Sequence, residues 1–227
     1  MASKSKFIAI EGLDGSGKST QIDLLIQHFE KEKIPTKFIH FPRHHIGVFG
    51  NLISRFLRGE FGTVDKVHPQ LVALLFAEDR KDFATTMQSW LNEDCIILVD
   101  RYVLSNIAFQ CAKLTDLTEK ETLKNWILNF EYEYNKIPMP DLSFYLEVPF
   151  SFTQHALSIR RKNEERTYLQ GQEDIHENDL LLQQAVKYEY ESLIQTQKNI
   201  IKIKCYNNEN NMRSKESIHQ EILNKLA

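Results

Sequence analysis

The sequence predicts an α/β fold in which a five-stranded parallel sheet lies between two layers of helices. Three observations predict it. Short apolar runs alternate with segments of helical periodicity along the chain. The apolar runs are continuous, as expected of strands that are covered on both faces of a parallel sheet. A glycine-rich loop joins the first apolar run to the first helical segment, and this order is typical of α/β proteins that bind phosphate groups.

The five predicted strands are apolar runs bounded by polar or turn residues, at 6–11, 36–41, 95–100, 142–148 and 200–206. The first predicted helix covers 18–33, where Ile22, Leu25, Ile26 and Phe29 share one side. Further helices are predicted at 50–58, 70–92, 105–113, 119–135, 150–162, 175–197 and 214–226. Because strand and helix alternate, ligands are expected beyond the carboxyl ends of the strands.

Length and composition narrow the class of protein. The 227 residues are enough for one domain spanning 1–227. A formal net charge of −3 gives no global field that would attract nucleic acid or an anionic membrane. The sequence begins without a signal-like segment, and no apolar stretch approaches the roughly 18 residues of a membrane helix. Cys95, Cys111 and Cys205 are odd in number and far apart, which indicates a reducing compartment. The expectation is a cytoplasmic protein.

The loop after the first strand reads G-x-x-x-x-G-K-S, the P-loop pattern. Glycines let successive backbone N–H groups point at phosphate oxygens, and the following helix adds the positive end of its dipole. In this motif the lysine binds the β- and γ-phosphates and the serine hydroxyl ligates Mg²⁺. The sequence therefore predicts a P-loop NTPase fold with a nucleoside triphosphate at Gly12, Leu13, Asp14, Gly15, Ser16, Gly17, Lys18, Ser19 and Thr20. Ser19 is a predicted metal ligand, and Asp100 ends the third strand where a Walker-B carboxylate would support the same ion.

Arginines accompany several predicted strand ends. Arg43 follows the second strand, Arg101 the third, and Arg160 and Arg166 the fourth, while Arg80 lies in the helix between the second and third. Separated arginines suit a site for two phosphorylated molecules, because a transferred phosphoryl group carries negative charge on its equatorial oxygens. A single arginine would be better explained as a surface cation or a member of a structural ion pair, but four at equivalent places in the topology are not. A GTPase would require a base-reading N-K-x-D motif, which the sequence lacks.

The chain resembles the thymidylate kinase family from Phe7 to about Tyr190. The segments that carry the resemblance are 11–20 around the P-loop, Phe41-Pro42-Arg43, Leu75-Phe76-Ala77 with Arg80, Asp100-Arg101-Tyr102, Ser105-Asn106 with Gln110, Pro138, Pro140-Asp141-Leu142 and Asp174-Ile175-His176-Glu177. Together these segments are far more specific than a P-loop alone.

The resemblance implies a phosphotransferase that moves the γ-phosphoryl group of ATP to dTMP, giving dTDP and ADP for dTTP synthesis, with Mg²⁺. It implies that Arg43 and Arg101 hold the dTMP phosphate, that Phe76 lies against thymine, and that Arg80 reaches the base edge. Asp14 would meet either the 3′-hydroxyl or Mg²⁺. The dTMP-binding residues implied are Asp14, Phe41, Arg43, Phe76, Arg80, Arg101, Ser105, Asn106, Phe109 and Gln110.

The residues themselves leave alternatives open for some of these roles. Phe76 follows Leu71, Leu74 and Leu75 on an apolar helix stripe, so a position in the core is its rival interpretation. Asn106 and Gln110 stand at i and i+4 and could form a solvated helix face.

The segment at about 160–176 is predicted to be a mobile lid. Thymidylate kinases carry a catalytic arginine either at the P-loop position of Gly15 or in the lid, and this chain resembles the second type. The cation would then come from Arg160, Arg166 or Arg161, in that order of preference. The predicted catalytic set is Lys18, Asp14, Arg101, Arg160 and Arg166.

Two other functions remain possible on the sequence alone. One is a different P-loop nucleoside or nucleoside monophosphate kinase, and the other is a nucleotide-binding protein without catalytic activity. Lys18, Ser19 and Asp100 are all present, which disfavours the second. The resemblance also implies a homodimer paired through helices in the region of 70–92.

Overall fold

The computed structural model of the protein describes residues 7–163 and 167–226, with side chains for all of these except 159–163. It contains one five-stranded sheet of order β2-β3-β1-β4-β5, and each neighbouring pair is parallel. The predicted α/β fold with a five-stranded parallel sheet is therefore confirmed. The strands are β1 Phe7–Gly12, β2 Thr36–His40, β3 Ile96–Asp100, β4 Leu142–Glu147 and β5 Ile200–Lys204.

Helices connect the strands and cover both faces of the sheet. Their bounds are α1 Lys18–Lys31, α2 Gly47–Leu57, α3 Pro69–Asn92, α4 Val103–Cys111, α5 Leu117–Leu128, α6 Phe150–Asn163, α7 Ile175–Asn178, α8 Leu180–Thr196 and α9 Lys215–Leu226. A π-helical segment, Asn129–Tyr134, continues α5, and a 3₁₀ turn, Thr167–Leu169, precedes α7.

The predicted helix at 175–197 is wrong in one respect, because the structure divides it into α7 and α8. Asp179 adopts an extended conformation between them, and its side chain accepts a hydrogen bond from the backbone N–H of Leu182. Asp174 caps α7 in the same way through the N–H groups of His176 and Glu177. Two aspartate caps five residues apart allow only a single turn of helix between them.

Alternate residues of β1 pack into different layers, because successive side chains of a strand point to opposite faces. Phe7 and Ala9 pack with residues of α3, α4, α5 and α8. Ile8 and Ile10 pack with residues of α1 and α9. The sheet thus has a helical layer and a core on each face, as the continuous apolar strands predict.

The carboxyl ends of the strands lie at one edge of the sheet, since all five run in the same direction. Gly12, His40, Asp100 and Glu147 end β1 to β4 there. This edge receives the glycine-rich loop and is where a ligand site is expected. Within the described chain, no helix combines the length and the apolar character that a membrane span requires.

Candidate active site

The glycine-rich loop follows β1 and ends where Lys18 begins α1. Gly15 and Gly17 have φ values of 73° and 89°, a left-handed conformation that residues with a side chain rarely adopt. The Nζ of Lys18 donates to the carbonyl oxygens of Leu13 at 2.8 Å and Gly12 at 3.3 Å. The Ser16 hydroxyl is buried and has no hydrogen-bond partner among the described residues. The loop therefore holds a lysine and an unsatisfied hydroxyl beside a helix N-terminus, as a phosphate site requires.

Lys18 is buried, and burial lowers the pKa of its ammonium group to about 8, with the nearby Arg101 charge acting in the same direction. The carboxylates of Asp100, Asp14 and Glu11 oppose this shift. A bound polyphosphate would favour the ammonium form further, since opposite charges stabilise each other at short range.

Arg101 and Asp14 form an ion pair that joins the end of β3 to the glycine-rich loop. Arg101 Nη2 lies 2.6 Å from Asp14 Oδ1, and Gln183 Nε2 donates to Asp14 Oδ2 at 3.0 Å. Burial disfavours ionisation of Asp14, but the charges of Arg101 and Lys18 outweigh it and hold its pKa well below the usual range. Arg101 also donates from Nη1 to the Ser105 hydroxyl at 3.2 Å. The guanidinium is therefore oriented from two sides.

Glu11 organises the residues behind this pair, although no role was predicted for it from the sequence. Its buried carboxylate accepts hydrogen bonds from the Tyr102 N–H at 2.9 Å, the Ser105 hydroxyl at 2.5 Å and the Tyr190 hydroxyl at 2.9 Å. A glutamate inside a predicted buried strand was the sequence signal for this role. Charged residues are rarely buried without partners, so its position indicates that other residues bind it.

A groove runs along the glycine-rich loop and is lined by residues 14–20 of the loop and the start of α1 together with Phe38, His40, Asp100 and Arg101; we call it the phosphate groove. Asp100 contributes its carboxylate to this groove. His40 Nδ1 lies 3.2 Å from Asp100 Oδ2, whereas Oδ1 is buried and has no hydrogen-bond partner in the described part of the chain. Burial raises the pKa of Asp100, but the His40 hydrogen bond and the Lys18 charge lower it more, so the net shift is downward. Ser19 lines the same groove. A carboxylate oxygen and a hydroxyl are the hard ligands that Mg²⁺ prefers, so these residues fit the predicted metal.

No group of three or more His, Cys, Asp or Glu residues that could hold a metal ion occurs among the described residues. An ion at Ser19 and Asp100 would therefore be shared with phosphate oxygens and water, which is the usual arrangement for Mg²⁺ in phosphoryl-transfer sites.

A second cavity adjoins the groove and shares Asp14, His40 and Arg101 with it. We call it the acceptor cavity. Nine of the ten residues predicted to bind the acceptor line it: Asp14, Phe41, Phe76, Arg80, Arg101, Ser105, Asn106, Phe109 and Gln110. Residues without a predicted role also line it, namely His40, Pro42, His44, Leu57, Tyr102, Tyr168, Asp174, His176 and Glu177.

Arg43 is the predicted acceptor residue that the structure does not bring to the wall of this cavity. Its backbone N–H and its Nε donate to the Asp79 carboxylate at 2.8 and 3.0 Å, and Nη2 donates to the Asp79 carbonyl oxygen at 2.9 Å. The guanidinium is thus held on α3. The sequence could not indicate this pairing, because Asp79 lies 36 residues away.

Arg80 lines the cavity and forms a buried ion pair with Glu131. Arg80 donates from Nε and Nη2 to the two Glu131 oxygens at 2.5 and 2.6 Å, and the side chains are 2% and 0% exposed. Burial disfavours the charged guanidinium, but Glu131 outweighs this and raises the pKa of Arg80. Asn106 Nδ2 donates to Glu131 Oε1 and to the Ala73 carbonyl oxygen. The Asn106 carbonyl oxygen, Oδ1, is left buried and unpaired with respect to the described residues.

Phe76 and Phe109 are apolar walls of the cavity. Phe76 is partly buried and packs against the small core cluster formed by α2 and α3. It also lines the cavity, so it has both the core contacts and the exposed ring face that were the two alternatives on the sequence. Phe109 stacks on the His176 ring with centroids 5.3 Å apart, and the Arg101 guanidinium lies 5.2 Å from its ring centroid. Gln110 is buried in α4, and its Oε1 accepts from Lys113 Nζ at 2.8 Å.

The segment before α7 closes one side of the cavity. Tyr168 stacks on His44 with ring centroids 3.8 Å apart, and its hydroxyl donates to Asp174 Oδ2 at 3.1 Å. Burial raises the pKa of the Asp174 carboxyl to about 7, and the nearby Glu177 and Asp14 add to the shift. Asp174 therefore sits in the cavity as a group that can keep its proton near neutral pH.

Helix α6 lies against the glycine-rich loop and places Phe152, His155 and Ala156 along the groove. Arg160 is one helical turn beyond Ala156 and so falls on the same face of α6. Arg166 lies outside the described residues, as do positions 164 and 165, and the side chains of Arg160 and Arg161 are not among those described.

Comparison with known proteins points to a single family. A family model described as "Thymidylate kinase" matches residues 10–222. A thymidylate kinase of Plasmodium falciparum is 32% identical over 152 residues, which cover 67% of this chain and 66% of that protein. One of Dictyostelium discoideum is 32% identical over 149 residues, covering 65% and 60%. The matched segment thus spans less than two thirds of either relative. The structure of a thymidylate kinase from Candida albicans superposes with a TM-score of 0.70 at 25% identity, over 100% of this chain and 92% of that one.

Proposed function

The chain belongs to the thymidylate kinase family, and on this basis we propose that it transfers the γ-phosphoryl group of ATP to dTMP, giving dTDP and ADP in the synthesis of dTTP. One observation carries the proposal. The phosphate groove and the acceptor cavity adjoin, and Arg101 and Asp14 stand on the wall common to both. Two bound phosphate groups would therefore face each other across this pair.

The polar groups of the acceptor cavity support a pyrimidine base that has a carbonyl oxygen on each side of a ring N–H. Arg80 offers N–H donors, whereas the unpaired Asn106 Oδ1 can only accept. Thymine and uracil present an N–H between two carbonyl oxygens, so a protein acceptor flanked by donors matches them. Cytosine has an amino group in place of one carbonyl and an unprotonated ring nitrogen in place of the N–H. Its donor would face a protein donor, and its ring nitrogen would face a protein acceptor. The Phe76 ring provides the apolar surface for the base.

Positioning accounts for most of the proposed catalysis. Lys18 and the loop N–H groups would bind the donor phosphates, and Arg101 would bind the acceptor phosphate and hold one of its oxygens in line. That oxygen is already ionised, so no general base is required. Bound Mg²⁺, held by Ser19 and Asp100 with the phosphates, would neutralise charge on the transferred group. Asp14 orients Arg101 and remains a candidate for contact with the sugar hydroxyl or the metal.

We assign the lid cation to Arg160 before Arg166. The observation that supports Arg160 is its position one turn after Ala156, on the helix face that follows the groove. An arginine supplied to the transferred phosphoryl group in this way can raise the rate by a factor of about 10³–10⁵. The residues at about 160–176 would then act as the lid of a single domain.

A homodimer and a cytoplasmic location complete the proposal. Val48 of α2 and Leu71 of α3 are exposed apolar side chains, 68% and 59% accessible, in the region where pairing is expected. Light scattering after gel filtration measures the mass directly. The cysteines Cys95, Cys111 and Cys205 are buried and free, which supports a reducing compartment.

A coupled assay of ADP release tests the proposal, with dTMP, dUMP, dCMP and thymidine as acceptors. We expect dTMP to be the best acceptor and dUMP to be used more weakly, since one methyl group contributes about 1–3 kcal/mol. Turnover of thymidine without turnover of dTMP would indicate a nucleoside kinase. ATP binding without turnover of any acceptor would indicate a protein without catalytic activity.

A further inference from the structure

We propose that Lys113 is a positioning residue that fixes the orientation of the Gln110 side-chain amide and thereby makes the acceptor cavity select pyrimidines with two ring carbonyls, thymine and uracil, over cytosine. The inference rests on the proposed function and adds a residue outside the cavity wall to its base selectivity. It follows from one hydrogen bond and from the groups left unpaired around it.

A side-chain amide can face a ligand with either its carbonyl oxygen or its NH₂ group, and only its other contacts decide which. Gln110 is 1% exposed and lines the acceptor cavity. Lys113 Nζ lies 2.8 Å from the amide oxygen Oε1. An ammonium group has donors and no acceptor, so the atom facing Lys113 must be the oxygen. The Gln110 NH₂ group makes no hydrogen bond within the described chain and is left for the cavity.

Asn106 stands one turn earlier on α4, and its amide is fixed the opposite way. Its NH₂ group donates to the Ala73 carbonyl oxygen and to Glu131, so Oδ1 is the amide atom without a partner among the described residues, on a side chain that lines the cavity. The two amides therefore present an acceptor and a donor, one turn apart on the same helix face. Arg80, paired with the same Glu131, adds a second donor group. This alternation complements the imide edge of thymine or uracil and mismatches that of cytosine.

Burial disfavours the charged form of Lys113, and two features of its surroundings oppose this effect. Its Nζ lies 5.1 Å from the Phe56 ring centroid, a cation–π contact. The residue follows the carboxyl end of α4, where the helix dipole favours a cation. No carboxylate of the described residues forms an ion pair with it. The Gln110 oxygen is its hydrogen-bond partner, so loss of Lys113 would free the Gln110 amide to rotate.

The test compares Lys113→Met with the unchanged enzyme, using kcat/KM for dTMP and for dCMP. Burial lowers the pKa of Lys113 to about 7. The assay is therefore run at about pH 6, where the ammonium form of Lys113 predominates. We expect the dTMP-to-dCMP ratio to fall by about tenfold, because an amide free to rotate can offer its oxygen to the cytosine amino group. Lys120→Met is the matched control, since Lys120 pairs with Glu189 away from the cavity, and its ratio should stay unchanged.

A double-variant cycle separates positioning from a structural role. Lys113→Met should leave the ratio unchanged when Gln110→Leu is already present, because no amide remains to be oriented. Equal losses with dTMP and dCMP, or the same change in ratio in both backgrounds, would overturn the inference. If Lys113→Met does not fold, Lys113→Arg and Lys113→Gln provide the same comparison, since only arginine keeps a donor-only group. Failure of the unchanged enzyme to use dTMP would instead refute the proposed function.

Discussion

Ala156 of helix α6 occupies the space that a side chain at Gly15 would need. A Cβ built on Gly15 would lie 2.7 Å from the Ala156 Cβ, closer than such atoms approach in proteins. The glycine-rich loop therefore has no room for a basic residue at this position while α6 is packed against it. This geometry agrees with an arginine supplied from α6 or beyond, as proposed for Arg160.

Gly15→Ala is expected to destabilise the nucleotide-free protein. The substitution adds both a left-handed backbone strain of about 1–3 kcal/mol and the contact with Ala156. Gly17→Ala is the matched control, because Gly17 has φ 89° but no atom within 4 Å of its built Cβ. Urea unfolding should show a larger loss for Gly15→Ala, and Ala156→Gly should recover the difference. Equal losses in the two single variants would mean that α6 does not pack as described.

Glu131→Gln is expected to destabilise the protein by about 3–5 kcal/mol, because it leaves the buried Arg80 charge without its partner. Glu133→Gln is the control, since Glu133 is exposed on the same π-helical segment. Chemical unfolding of both variants measures the difference. A loss below about 1 kcal/mol for Glu131→Gln would show that the Arg80 charge is satisfied in some other way.

Arg101→Ala is expected to raise the KM for dTMP by about 10–100-fold, the effect of losing hydrogen bonds to a charged group. Arg43→Ala should raise it less, because the Arg43 guanidinium is held by Asp79 away from the cavity wall. Steady-state kinetics with each substrate varied in turn make the comparison. A larger effect from Arg43→Ala would restore its predicted role and imply that its pairing with Asp79 is released on substrate binding.

Asp174→Asn is expected to stabilise the protein increasingly between about pH 4 and pH 7. The folded state raises the pKa of this carboxyl to about 7, so it keeps a proton that the unfolded chain has already released. Stability then falls as pH rises through this window and levels off above it. Asparagine cannot ionise, so at about pH 7 the free energy of unfolding of the variant Asp174→Asn should exceed that of the unchanged protein by about 3–4 kcal/mol.

Thermal unfolding at a series of pH values checks this prediction. Asn retains the acceptor that caps α7, so the cap itself is kept. Asp116→Asn, which alters an exposed capping aspartate of α5, is the matched control for replacing a capping aspartate by asparagine. A constant difference between Asp174→Asn and the unchanged protein across the range would refute the pKa shift.

The sequence was sufficient for the architecture because its signals are local. Continuous apolar runs such as 7–10 and 96–99 identify buried strands, and the glycine-rich loop identifies the strand end at which ligands bind. The break at Asp179 was missed because apolar periodicity continues across it. Only the capping contact with Leu182 marks the new helix start, and an aspartate inside an apolar pattern does not stand out.

The wall of the candidate site was largely predictable, and the residues behind it were not. Arg101 and Asn106 belong to recognisable segments at a strand end. Glu131 and Gln183 act through contacts 51 and 169 residues away in sequence, and no local pattern indicates such pairs. Arg43 was predicted from a segment that resembles the family, but that segment does not reveal that Asp79 of α3 holds the Arg43 side chain.

Glu131 meets Arg80 from within the π-helical segment Asn129–Tyr134, whose winding is wider than that of an α-helix. Removing one amino acid from this stretch would restore ordinary α-helical winding and rotate everything upstream by about 100° relative to the chain that follows. The carboxylate would then face water or apolar neighbours. A length change in this segment would therefore remove the Glu131 contacts to Arg80 and Asn106 together.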